Sequence, residues 1–208
     1  MPIAIGIHGG CGMLDRSLMS EAEWTEARAH LADALKAGWA ALAAGRHAVD
    51  AVEAAIVVME NSPHFNAGYG AALTEDGDHE LDASIMNGET LGAGAVSAVR
   101  RVRNPVRAAR AVMERSDCVL MTGEAADAFM ARNGLAMVEN GYFTTARRVA
   151  ALESLKSRRA AGTIRMASEA EKHGTVGAVR STTTAISRPR RRPAASTTSR
   201  AAGSATAR

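Results

Sequence analysis

Apolar and polar positions alternate along the chain in two periods. Ile3 to Ile7 is a short apolar run stopped by His8-Gly9-Gly10-Cys11-Gly12, the pattern of a buried strand entering a glycine turn. Ser20 to Ala44 is rich in Ala, Leu and Glu. Ser20-Glu21-Ala22-Glu23 fits a capping box at its start, and Gly45 fits its stop. Val49, Val52, Ile56 and Met59 line one face of a second helix, from about Ala48 to Met59. A loop of turn residues follows, Glu60 to Gly70. Strand-like pieces are predicted at Ala72–Thr74, Glu80–Met86 and Leu91–Val102, with Asn87-Gly88 as a hairpin signal. Pro105 opens a helix to about Arg115. A short strand at Cys118–Met121 and a helix at Gly123–Asn133 come next. Residues 144–172 are rich in Arg, Ala and Glu with little apolar content, which predicts an exposed or mobile linker. His173 to Val179 is apolar again and starts a strand. There is no internal repeat.

Composition adds little until the charge is located. The 208 residues are 47% hydrophobic and 23% charged, ordinary globular usage, with 3% aromatics, too few for a base-stacking platform. The net charge of +3 and a pI near 9.2 invite a nucleic-acid reading. From Arg180 to Arg208, however, there are seven Arg and no acid. Without those seven, 18 basic residues face 22 acidic ones, so the body carries −4 and the tail +7. Two cysteines, Cys11 and Cys118, make no disulfide framework, and a reducing cytoplasm is the expected compartment. The N-terminus lacks a basic n-region, and no run reaches the ~18 apolar residues of a membrane helix.

Gly174-Thr175 is the focus of the candidate chemistry. A threonine becomes a nucleophile when its own free α-amine is the general base, which requires cleavage of the bond before it. Glycine ahead of it relaxes the backbone there. An isolated Gly-Thr is most often just the start of a strand; the other motifs change those odds. These are His8 to Gly12, Phe65-Asn66-Ala67-Gly68-Tyr69-Gly70, Glu80 to Gly88, Ala93-Gly94-Ala95-Val96, Arg103-Asn104-Pro105-Val106 and His173 to Val179. In order and spacing, over residues 3–179, they resemble the plant-type L-asparaginase/isoaspartyl peptidase family of N-terminal nucleophile hydrolases. Cys11, where that family usually has Ala, is a mild departure.

The resemblance implies an α+β fold, the αββα sandwich of N-terminal nucleophile hydrolases, incomplete in this chain. It divides the sequence into an α-subunit-like portion (1–143), a linker (144–174), the start of a β-subunit-like portion (175–179) and a non-family basic tail (180–208), expected to be disordered. It implies self-cleavage between Gly174 and Thr175. Thr175 then attacks the side-chain amide of L-asparagine or the isopeptide bond of a β-aspartyl dipeptide. Gly10 and Asn66 are placed near the site by resemblance. A structural Na⁺ is implied on main-chain carbonyls of Met59, Glu60, Ser62, Phe65, Ala67 and Tyr69, with no other cofactor. The family implies a small-molecule substrate and a dimer of cleaved αβ units, without nucleic-acid or membrane partners.

Other candidates have plainer readings. His8 beside Gly9-Gly10 reads as structural. His79, Glu80 and Asp82 resemble a metal cluster, but strand alternation puts His79 opposite the two acids, which favours solvated or hydrogen-bonded roles. His30, His47 and His64 lack partners at ligand spacing. Glu124 fits the first turn of a helix.

The family continues past this strand with a Thr-Ser-Thr-Gly-Gly segment and then Gly-Arg-Val-Gly-Asp-Ser-Pro, whose Arg and Asp grip the substrate. Neither follows Val179 here. Both return when the tail is read one base out of register. With one G ahead of it, a single set of codons encodes the tail and also Ala-Leu-Asp-His-His-Gly-His-Leu-Ala-Ala-Ala-Thr-Ser-Thr-Gly-Gly-Ile-Tyr-Asn-Lys-Pro-Gly-Gly-Arg-Val-Gly-Asp-Ser-Pro. The expectation is a frameshift just after Val179, and an inactive chain as written. The alternatives are a non-catalytic remnant of the family and a nucleic-acid-binding protein acting through its Arg tail.

Overall fold

The computed structural model describes residues 3–10, 20–162 and 175–181, and the backbone of 197–203. Cys11, Gly174 and the rest of the tail lie outside these residues. The strands are β1 (Ala4–His8), β2 (Leu81–Met86), β3 (Ala93–Val99), β4 (Leu120–Thr122), β5 (Thr175–Ser181) and β6 (Thr197–Gly203). They form one sheet in the order β1-β5-β6-β2-β3-β4, in which only β3–β4 is parallel. The helices are α1 (Glu21–Ala43), α2 (Ala48–Glu60), α3 (Pro105–Arg115), α4 (Gly123–Arg132) and α5 (Ala146–Ala160). A 3₁₀ turn, Asn140–Phe143, precedes α5.

Alternation along the strands decides which face is covered. Leu81, Ala83 and Ile85 of β2 and Val176 and Ala178 of β5 are buried in the same core as Val52, Ile56 and Met59 of α2 and Val106 and Val112 of α3. Ala4, Gly6 and His8 of β1 and Val179 and Ser181 of β5 are exposed. They pair directly (Ala4 with Ser181, Gly6 with Val179), so they share the opposite face. α1 starts on the predicted capping box: the Ser20 hydroxyl accepts from the Glu23 N–H (3.2 Å), and Glu23 Oε2 accepts from the Ser20 N–H (2.9 Å). Among the described residues no helix is long and apolar enough to cross a membrane.

Four segments differ from the sequence expectations. Residues 72–74 form no strand; the Ala72 N–H donates to Asn66 and its carbonyl faces His79, while Thr74 N–H donates to the Asp78 carbonyl in a turn. The β2–β3 connection is a six-residue loop, not a two-residue turn. Asn87 N–H donates to the Gly92 carbonyl (2.8 Å) while the Asn87 side chain accepts from Glu89 N–H (2.9 Å), an Asx turn inside the loop. The first half of the expected linker is helix α5. The tail, expected to be disordered, supplies β6 through its backbone. β6 fills the place between β5 and β2 and is hydrogen-bonded on both sides, which satisfies strand groups that would otherwise face each other across a gap. One sheet thus takes strands from both sides of the Gly174-Thr175 junction.

Candidate functional site

Thr175 is the first residue of β5 and is half-buried. Alternation puts it on the face of Gly177 and Val179, opposite the core residues Val176 and Ala178. β1 and β5 pair up to His8 with Gly177, which leaves Gly10 two residues past the end of β1 and Thr175 two residues before Gly177 in β5. Gly10 has φ +106°, a conformation that favours glycine. A Cβ on Gly177 would run into the His8 imidazole, so the ring lies directly over that glycine, and His8 itself is exposed. On the other side β6 sets Ala202 beside Thr175, and β2 sets Asp82 beside Ala202. Asp82 is held by its own sheet: Oδ1 accepts from Ser97 Oγ (2.8 Å) and from the N–H of Ala98 (2.8 Å), a residue at φ +52°.

Asn66 is 2% exposed, and its Oδ1 accepts from the Ala72 N–H at 2.6 Å. It sits in the loop that follows α2, whose shape depends on two glycines. Gly68 (φ +55°) and Gly70 (φ +95°) adopt a conformation that other residues avoid, and a Cβ on Gly70 would meet the Pro63 carbonyl oxygen at 2.7 Å. Tyr69 N–H donates to the Glu60 carbonyl (2.7 Å), and Ser62 N–H to the Met59 carbonyl (3.1 Å). Met59, Glu60, Ser62, Phe65 and Ala67 are buried and Tyr69 is half-buried. Arg147 donates to the carbonyls of Pro63 (3.0 Å) and His64 (3.3 Å), and Arg148 to that of Gly70. None of those three carbonyls is among the six proposed for Na⁺. The Glu60 carboxyl is fully buried; Oε1 accepts from Val106 N–H (2.9 Å), while Oε2 has no hydrogen-bond partner among the described residues. Burial pushes its pKa up to about 8. The six carbonyls come from one turn, residues 59–69, and carbonyl oxygens are the donor type that suits a hard cation.

The remaining candidates have structural partners. His79 is buried, with Nδ1 3.2 Å from the Ala72 carbonyl and Nε2 2.9 Å from Thr144 Oγ1. His30 Nδ1 is 2.7 Å from Ser62 Oγ, and its ring lies 5.3 Å from that of His64. His64 lies 3.2 Å from Glu26 Oε2; burial lowers its pKa despite that carboxylate. Glu124 occupies the first turn of α4. Among the described residues no three His, Cys, Asp or Glu groups converge to hold a metal. Cys118 is an exposed free thiol. Arg147 and Arg148 were missed by sequence reasoning, because a basic pair in a polar segment looks like a solvated face; two consecutive Arg in the first turn of a helix, against the helix dipole, was the one signal available.

The sequence profile of the asparaginase family matches residues 1–187, which takes the match eight residues past Val179. The isoaspartyl peptidase of Salmonella typhimurium (strain LT2) is 45% identical over 181 residues, 84% of this chain and 57% of that protein. The isoaspartyl peptidase of Escherichia coli K12 is 44% identical over 183 residues, 84% of this chain and 56% of that protein. The plant-type L-asparaginase of Pyrococcus abyssi is 46% identical over 127 residues, 61% of this chain and 40% of that protein. The chain thus spans little more than half the length of the two peptidases. With nine-tenths of its residues inside the family profile, and the Thr175, Gly10 and Asn66 motifs all within that match, the chain belongs to the asparaginase family.

Proposed function

We propose that this chain carries the nucleophile-bearing part of a threonine amidohydrolase acting on L-asparagine or β-aspartyl dipeptides. The observation that supports it is the position of Thr175, at the head of β5 on the face away from the core, in a chain whose relatives are named isoaspartyl peptidases and L-asparaginases. In the first step Thr175 Oγ attacks the Gly174 carbonyl. The C–N bond breaks, an ester replaces the amide, and water hydrolyses the ester to release Gly174 as a carboxylate and Thr175 as a free amine. In the second step that amine accepts the Oγ proton as Oγ attacks the substrate's side-chain carbonyl. The proton passes to the leaving nitrogen, ammonia or an amino acid departs, and water cleaves the acyl-enzyme to regenerate Thr175.

The sandwich of two sheets, the cytoplasmic setting and the dimer of cleaved αβ units belong to the same proposal. So does a Na⁺ on the carbonyls of Met59, Glu60, Ser62, Phe65, Ala67 and Tyr69, which when bound would neutralise converging dipoles and stiffen the loop. The chain as written keeps Thr175 but follows Val179 with a segment that lacks both family motifs, the substrate-gripping Gly-Arg-Val-Gly-Asp-Ser-Pro among them. Its expected hydrolytic activity is therefore nil, and one added base ahead of the Arg180 codon is expected to restore it.

The test expresses both forms. The restored form should split before Thr175, by mass spectrometry, and release ammonia from L-asparagine; Thr175→Ala in it should abolish both. The chain as written should do neither. A restored form with Thr175→Ala that still cleaves would overturn the assignment of the nucleophile, and an uninterrupted reading frame in the resequenced gene, with unrelated codons at the junction, would overturn the frameshift.

A further inference from the structure

α5 is an unusual helix in what it buries. Of its fifteen residues only Arg148 is buried, and Arg147 beside it is half-buried. Both lie in the first turn, where the helix dipole disfavours a cation, and there is no acid in that turn to offset them. Burial lowers the pKa of both, Arg148 to about 10, so both remain guanidinium at neutral pH. A placement unfavourable by both local measures needs a compensating contact. The hydrogen bonds of the pair include main-chain carbonyls at the two ends of one loop: Arg147 holds Pro63 and His64, and Arg148 holds Gly70, while the Glu23 carboxylate also favours the Arg147 charge. The Gly70 N–H also donates to the carbonyl of Phe143 (2.9 Å), just ahead of α5. Asn66 sits midway between the clamped ends, its side chain fastened to Ala72 N–H.

We infer that Arg147 and Arg148 are positioning residues, which fix the Asn66 loop to the helix that leads toward the Gly174-Thr175 bond. The inference rests on the reading of Asn66 as a near-site residue. Two adjacent guanidinium groups on one rigid turn hold both ends of the loop, so α5 cannot shift without moving the residues around Asn66. Carbonyls accepting from a charged donor form stronger bonds than neutral pairs do, which helps a helix with no buried apolar side chain stay docked.

Hydrogen–deuterium exchange on the chain as written tests this without requiring hydrolysis. Arg147→Met should speed exchange of the amides at 64–72 by about tenfold, while α2 and the β2–β3 pair keep parent rates. Arg147→Lys, which retains a donor for Pro63, should restore most of the protection. Arg148→Met should show the same pattern; if that variant fails to fold, the half-buried Arg147 pair of variants carries the test alone. Unchanged exchange at 64–72 in Arg147→Met, a uniform rise across the whole molecule, or no difference between the Met and Lys variants would each refute the clamp. The result is independent of Thr175→Ala: a failed clamp leaves the nucleophile assignment standing, and a failed nucleophile leaves the clamp standing.

Discussion

His79 shows how a single residue sets a chemical state. The Ala72 carbonyl can only accept, so Nδ1 carries the proton, and Nε2 then accepts from the Thr144 hydroxyl. Both ring nitrogens are satisfied in the neutral form, and burial lowers the pKa below that of an ordinary histidine. The unfolded chain takes up this proton from about pH 6.5 downward, while the folded chain resists. Stability from His79 is therefore complete above that pH and is lost as pH falls toward the folded value. Buried Glu60, raised to about 8, acts with the opposite sign, losing stability as pH rises above the ordinary carboxyl range. The difference between parent and His79→Gln isolates the histidine: urea midpoints at pH 7.5 and 5.5 should fall further in the parent. Equal falls would show that His79 titrates normally. Such buried roles were only partly legible in the sequence. Alternation separated His79 from Glu80 and Asp82, but nothing marked Asp127 of α4, whose carboxylate accepts from three backbone N–H groups, those of Arg100, Arg101 and Val102. An acid inside a helix carries no sign of which distant backbone it will meet.

At the scale of elements, close packing depends on a missing side chain. A Cβ on Gly94 of β3 would run into the Ala109 carbonyl oxygen and sit 2.5 Å from the Met113 nitrogen of α3. Gly94→Ala should therefore cost about 1–3 kcal/mol by overpacking, read as a lowered urea midpoint. Gly141→Ala, where nothing lies within 4 Å, should stay near the parent; similar losses in both would show that helix and strand move apart freely. Elements with an apolar period were legible: α1 with its capping box, α2, α3 with Pro105 at its start, and the strands β1, β2 and β5. α5 was not, because its few large apolar residues, Val149, Leu152 and Leu155, are outnumbered by charged ones, and its one buried side chain is an arginine. β6 was not, because the sequence Thr197 to Gly203 has no alternating apolar pattern. The strand that begins at Thr175, by contrast, was legible, since the apolar run His173 to Val179 predicts a strand start there.

At the scale of the whole molecule, two unlike segments share one sheet. The −4 body supplies β1 to β4, and the +7 tail supplies β6 and the last residues of β5. Removing residues 182–208 should therefore uncover the facing edges of β5 and β2, which attract other chains. The shortened protein is expected to self-associate in size-exclusion chromatography and to lose a single cooperative urea transition. A monodisperse protein with the parent midpoint would show that β6 contributes nothing to the fold.

The strand order also sets a timetable. The inner strands β5 and β6 are made after β1 to β4, so β1 finds its partner only once the chain has been synthesised as far as Ser181. Pairings this distant in sequence close slowly. On the ribosome β1 waits with an unpaired edge while β2 and β3 can join at once. Any change in residues 175–203 therefore acts on the sheet's interior rather than on its margin.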